Sequence, residues 1–163
     1  IDSYIGIVSN HLHLNNLDSV IYYSEQINNY DKISFTNRNK INLLKAKSYL
    51  KNNNKSSAID MLLTTINLVK DESASEAQYL LAELFFNKNE KKQALETLYT
   101  LNENFISQKY WVGKSYLLIA KIFISMDENF QAKATLNSLI DNSEIEIIRK
   151  EAIGLLNKLN RNE

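Results

Sequence analysis

The amino-acid sequence predicts an all-α protein: an α-solenoid of about four antiparallel helix pairs, closed by a C-terminal capping helix. Three observations predict it. Proline is absent and glycine occurs only three times in 163 residues, so the residues that usually punctuate sheets and tight turns are missing. Apolar residues recur at three- and four-residue spacing, as in Leu43, Leu44 and Leu50, in Tyr79, Leu80, Ala82 and Phe86, and in Ile145, Ile148, Ala152, Leu155 and Leu159. Strand-like alternation is sustained nowhere. Finally, one pattern returns four times: two small residues twelve positions apart, on either side of a short polar turn. The pairs are Val8 and Val20, Ala46 and Ala58, Ala82 and Ala94, and Ala120 and Ala132, following one another at intervals of 38, 36 and 38 residues.

Each unit reads as a helix of about four turns, a turn, and a second helix of similar length. Where two antiparallel helices cross near their shared turn, one small side chain from each lets the backbones approach to roughly 8–10 Å. The first unit, residues 1–33, carries "VSNHLHLNNLDSVIYYS" and uses valines for that purpose. The second, residues 34–71, carries "AKSYLKNNNKSSAIDML"; the third, residues 72–108, "AELFFNKNEKKQALETL"; and the fourth, residues 109–142, "AKIFISMDENFQAKATL". Ser73 with Glu76, and Ser143 with Glu146, have the spacing of capping boxes and predict two helix starts. Residues 143–163 hold one apolar stripe and a polar face of Arg149, Lys150, Glu151, Asn157 and Lys158. That composition predicts a capping helix that seals the exposed core of the last repeat, as a solenoid requires for solubility. Ile1 falls at the first position of a repeat, so further repeats are expected upstream, and the charged ending "RNE" suits a natural C-terminus.

Composition excludes several classes of function. The longest uninterrupted apolar run, Tyr116 to Ala120, is far below the roughly 20 residues that span a bilayer. A formal net charge of zero lacks the electrostatic footprint of a protein that neutralises many phosphates, which makes nucleic acid an unlikely partner. Without cysteine there are no disulfides, thiolate metal sites or thiol nucleophiles. His11 and His13 are the only imidazoles; two residues apart on a helix they point about 200° from each other and cannot share a metal. We expect His11 in the core and His13 at the surface. Glu83, Glu90 and Glu96 are scattered along helices without a paired carboxylate or a nucleophile beside them, and no glycine-rich phosphate loop is present. The expectation is a non-enzymatic protein with no cofactor, no metal and no small-molecule substrate. Asn occurs 22 times, which we read as coding bias without function.

The repeated pattern resembles the tetratricopeptide repeat family, whose helix pairs place a small residue at position eight, a large apolar or aromatic residue at eleven and alanine at twenty. The eighth and twentieth positions here are the four pairs named above, and the eleventh are His11, Tyr49, Phe85 and Phe123. The first unit departs twice, no unit ends in the family's proline, and the spacing exceeds the family's usual 34. The resemblance covers the chain to about Asn142 and implies a protein-protein interaction scaffold. The section "YWVGKSYLLIAKIFISMDENFQAKATLNSLIDN" also resembles the closing repeat of long tetratricopeptide proteins of bacterial cell envelopes. That likeness implies a periplasmic or outer-membrane-associated setting rather than a cytoplasmic one.

Positions two, five, nine and twelve of each first helix fall within an arc of about 80°, which in the resembled family lines the concave groove. They are Asp2, Ile5, Ser9 and Leu12; Lys40, Leu43, Lys47 and Leu50; Glu76, Tyr79, Glu83 and Phe86; and Lys114, Leu117, Lys121 and Ile124. Charge alternates as a lysine pair, a glutamate pair and a lysine pair. One reading has these charges paired across neighbouring first helices, worth about 0.2–1 kcal/mol each when partly exposed and serving register. The other makes Leu43, Lys47, Leu50, Tyr79, Glu83, Phe86, Leu117, Lys121 and Ile124 a partner-binding face for a peptide or helix of another protein. The basic and amide clamp that some family members use for a peptide's terminal carboxylate is missing. Residues 31–70 carry eight basic and two acidic side chains, and residues 71–104 seven acidic and three basic; this reads as a solvated polar face, or as a basic end for acidic partners or RNA. The alternatives to a scaffold are a self-associating structural module, with the chain as a homo-oligomer, and a helical-repeat RNA binder.

Overall fold

The computed structural model describes residues 2–28 and 33–161. Ile1, Asp31 and Lys32 at the head of the basic segment, and Asn162 and Glu163 of the charged ending, lie outside the described residues. Among those described, the chain forms nine α-helices and no strand: α1 (Asp2–His13), α2 (Leu17–Asn28), α3 (Phe35–Lys51), α4 (Lys55–Leu68), α5 (Glu72–Asn87), α6 (Lys91–Asn104), α7 (Lys109–Ser125), α8 (Asn129–Asn142) and α9 (Glu146–Arg161). No described helix is long and apolar enough to cross a membrane.

Two compact units divide the chain, Ile1–Gln78 and Tyr79–Glu163, with the boundary inside α5. In the first, α1 packs on α2 and α3, α2 on α3, and α3 on α4. In the second, α6 packs on α7, α7 on α8, and α9 on both α7 and α8. This succession of helix pairs is the packing of an all-α, tetratricopeptide-like solenoid. All eight small residues of the repeated pattern, Val8, Val20, Ala46, Ala58, Ala82, Ala94, Ala120 and Ala132, are 0% exposed, as the close approach of paired helices demands.

Each pair is joined by the same turn. Asn15, Asn53, Asn89 and Asp127 have φ between 57° and 63°, the left-handed region that Asn and Asp enter at lower cost than other residues with a Cβ. The amide of each bonds back to Leu12, Leu50, Phe86 and Ile124, and the next amide to His11, Tyr49, Phe85 and Phe123. Those two bonds make a Schellman motif, which satisfies carbonyls orphaned at the end of the first helix. The asparagines read as coding bias therefore include three with a backbone role.

Helix starts differ from the two predicted capping boxes. At α5 the cap is Asp71, whose Oδ1 accepts the Ala74 amide at 2.9 Å, and Ser73 is buried inside the first turn. A carboxylate two residues upstream starts the helix earlier, so Ser73 falls within the first turn and is not its cap. Ser143 instead ends α8, its amide bonded to the Leu139 carbonyl, and its hydroxyl accepts the Ile145 amide at 3.2 Å. Glu146 pairs with Lys150 one turn on, at 2.6 Å.

The first unit's core holds Val8, Leu12, Val20, Ile27, Ile33 and Ile41. In the second unit, α9 lays Ile148 and Ala152 against Leu117, Ala120, Leu136 and Leu139, sealing that repeat's apolar face. Burying each large aliphatic side chain contributes about 1.5–3 kcal/mol. At Gly113 an added Cβ would stand 3.0 Å from two Ile148 carbons. His13 is exposed and His11 half-buried, stacked on Tyr23 with ring centroids 5.2 Å apart.

Candidate functional site

The sixteen arc positions divide by depth. Within the first unit, Asp2 and Lys40 are exposed, Ile5, Ser9, Lys47, Leu50 and Glu76 are half-buried, and Leu12 and Leu43 are buried. Within the second, Lys121 is exposed, Glu83, Phe86, Lys114 and Ile124 are half-buried, and Tyr79 and Leu117 are buried. The column at position five is thus largely interior: Leu43 and Tyr79 are 6% exposed and Leu117 1%. Those three side chains present little surface to a partner, whereas Lys47, Leu50, Glu83, Phe86, Lys121 and Ile124 retain some.

The charges form specific pairs. In the first unit Lys47 Nζ meets Glu76 Oε1 at 2.5 Å, one of the pairings the alternating signs anticipate. In the second unit Lys114 turns to α9 and pairs with Glu151 at 3.4 Å, while its ammonium stands 6.0 Å from the Tyr79 ring centroid, at the outer reach of a cation–π contact. Tyr79 also packs on Trp111, with centroids 5.5 Å apart, and its hydroxyl donates to Glu83 Oε1 at 2.9 Å. Burial first, and the neighbouring Glu83 carboxylate second, push the Tyr79 phenol well above its ordinary pKa, so it stays a neutral donor. Glu83 is held by its own helix. The sequence reading missed Glu151 because it assigned α9 a sealing role only; its place on that helix's polar face was the available signal.

Five of the arc residues come together around one cleft of about 450 Å³ in the first unit. Ile5 and Ser9 come from α1, Lys40 and Leu43 from α3, and Glu76 from α5. Asp71 and Glu72, at the head of α5, complete the wall. Sequence reasoning counted these two carboxylates only as part of an acidic segment. Position one of the third repeat is Ser75, so the grid leaves out the start of α5 and the residue that caps it.

A second cleft, of about 640 Å³, lies inside the second unit and off the predicted arc. Ile106, Val112, Tyr116, Thr135 and Leu139 line it, with Lys109 and Glu144 also on its wall. Those two charges pair at 2.5 Å, and the Lys109 ammonium holds the Glu144 carboxyl below its ordinary pKa. No repeat position flags this cleft, because two loops and the ends of two helices form it.

Among the described residues, no three His, Asp or Glu side chains are grouped to hold a metal. What both clefts offer is apolar surface edged by charge, which is the chemistry of binding. No curated protein and no solved structure matches the chain. Residues 76–105, from α5 into α6, and residues 114–143, from α7 through α8, match the family model of the tetratricopeptide repeat. The two matches begin 38 residues apart, the interval from Ala82 to Ala120, and they support a tetratricopeptide repeat family for this chain.

Proposed function

We propose that the chain is a non-enzymatic scaffold that binds a peptide or helix of another protein along the inner arc of its first helices. One observation carries the reading: residues of α1, α3 and α5 at arc positions meet at a single cleft in the first unit. The repeat matches support it, since tetratricopeptide repeats generally mediate protein-protein interaction. In the second unit the corresponding surface is Glu83, Phe86, Lys121 and Ile124, with the buried Tyr79 and Leu117 as its support. The likeness of residues 110–142 to closing repeats of envelope proteins supports a bacterial envelope assembly as the setting.

The test is a photo-crosslinking amino acid placed singly at Lys40 and Lys121, and at the exposed second-helix positions Thr100 and Asn137, in cells of the source organism. The same protein captured from Lys40 or Lys121, but from neither Thr100 nor Asn137, is the expected result. Capture only from the second-helix positions would move the binding surface off the arc.

A specific observation favours one other reading. Tyr4 and Ile7 on α1 are exposed apolar side chains, suited to pairing with a second copy. Light scattering over a concentration series separates the two readings, and a constant monomer mass would eliminate self-association.

A further inference from the structure

Resting on the scaffold reading, we infer that the first unit's cleft takes an arginine or lysine side chain of the partner, its alkyl stem on Ile5, Leu43 and Leu44 and its cation at Glu72 and Glu76. The wall sets three carboxylates against one ammonium, Lys40, and Glu76 is already met from outside the cleft by Lys47. An anionic segment would be repelled there and a cationic one attracted. Aliphatic side chains beside the carboxylates suit the long stem of Lys or Arg, which buries its methylenes while its head stays polar.

Capping α5 explains only part of this acidity. Asp71 Oδ1 accepts the Ala74 amide and the Asn39 side-chain amide, at 2.9 and 3.1 Å. Its second oxygen, Oδ2, is buried and accepts no hydrogen bond. Asn39 is itself 0% exposed. Its Nδ2 gives both hydrogens away, to the Val69 carbonyl and to Asp71, and its Oδ1 also accepts none. Both oxygens are closed off from solvent and Asn39 is not on the cleft wall, so the Asn39 contact fixes Asp71 at the head of α5, and the exposed Glu72 with the half-buried Glu76 are the carboxylates a partner's cation reaches. A guanidinium or ammonium brings several donors and no acceptor.

The experiment uses the intact chain and immobilised nonapeptide libraries whose central residue is fixed as Arg, Lys, Glu or Leu, the remaining positions being randomised. The Arg and Lys libraries should retain about tenfold more protein than the Glu library, the ratio expected of one favourable charge placement. In the double variant Asp71→Asn/Glu72→Gln the ratio should fall to about one. Asn caps a helix as well as Asp does, and an unchanged thermal melt certifies the fold. Equal retention of Arg and Glu libraries by the wild type overturns the inference, as does a preference that survives the double variant. Retention of the Leu library alone overturns the basic-residue inference and leaves the scaffold reading standing. Retention of no library overturns both.

Discussion

Ile5 on α1 and Leu117 on α7 hold the same position of the repeat, yet Ile5 is half-buried while Leu117 is 1% exposed. The difference is one of neighbours. Among the described residues α1 packs on α2 and α3, whereas α7 packs on α6, α8 and α9. Accordingly α1 buries Val8 and Leu12 and leaves Tyr4 and Ile7 exposed, while seven residues of α7 from Gly113 to Ile122 are buried. A repeat sequence fixes which face of a helix is apolar; the elements stacked on each side decide how much of that face leaves water. Equivalent positions are therefore not energetically equivalent.

The strongest way to break this comparison is to truncate both. Leu117→Ala removes a side chain enclosed by Ala120, Leu136, Leu139, Ile148 and Ala152, and should cost about 2–5 kcal/mol. Ile5→Ala, at a site that water already reaches, should cost about 1–2 kcal/mol. For a domain of this length each kcal/mol shifts Tm by roughly 2–4 °C, so thermal melts resolve the two. Equal losses would mean that depth at position five does not follow from the stacking of neighbours.

The same contrast explains what could be read from the sequence. Eight small residues in register announce the helix pairs because a close crossing admits nothing larger, a constraint within each pair. Tyr79 was legible as an arc residue but not as a buried one, since its enclosure depends on Trp111 and on its own hydrogen bond to Glu83. Asp71 and Glu72 were legible as charge and not as the wall of a cleft, because α1 and α3 supply the other side. The turn asparagines were misread for the opposite reason. Their role is local, a left-handed backbone at Asn15, Asn53 and Asn89, but a composition rich in Asn masked three meaningful positions among many.

A smaller effect sharpens the comparison at the α7–α9 contact. Gly113→Ala adds a Cβ at 3.0 Å from two carbons of Ile148, which is itself 0% exposed, so the Ile148 side chain must shift to admit it. Overpacking of this kind costs about 1–3 kcal/mol, against about 1 kcal/mol regained from alanine's helix propensity. The expected result is a modest net loss in Tm. At Gly6 on α1, where nothing lies within 4 Å of the added carbon, the same substitution should raise Tm. A gain at both glycines would show that α9 yields to α7.

Turn substitutions should ignore the distinction altogether. Asn15→Ala and Asn89→Ala each force alanine into φ near 60°, at about 1 kcal/mol apiece. Both losses should match in chemical denaturation, because the strain belongs to the turn and not to its neighbours. A much larger loss at Asn89 would give the turn a tertiary role.

The smallest effect belongs to Lys109 and Glu144, whose pair is open to solvent on both sides. The hydrogen bond and charge of Lys109 lower the Glu144 pKa in the folded protein, so the unfolded chain takes up this proton more readily than the folded one. The pair's contribution is therefore fully present above the unfolded carboxyl's pKa and is lost as pH falls through the lower, folded value. Glu144→Gln should depress Tm slightly at neutral pH, and wild type and variant should melt together once the pH lies below the folded pKa. Added salt should shrink the neutral-pH difference in the same way, as it screens an exposed pair. A difference that persisted in acid would have to come from the shape of the cleft wall that Glu144 and Lys109 share, and would mark their contact as packing more than charge.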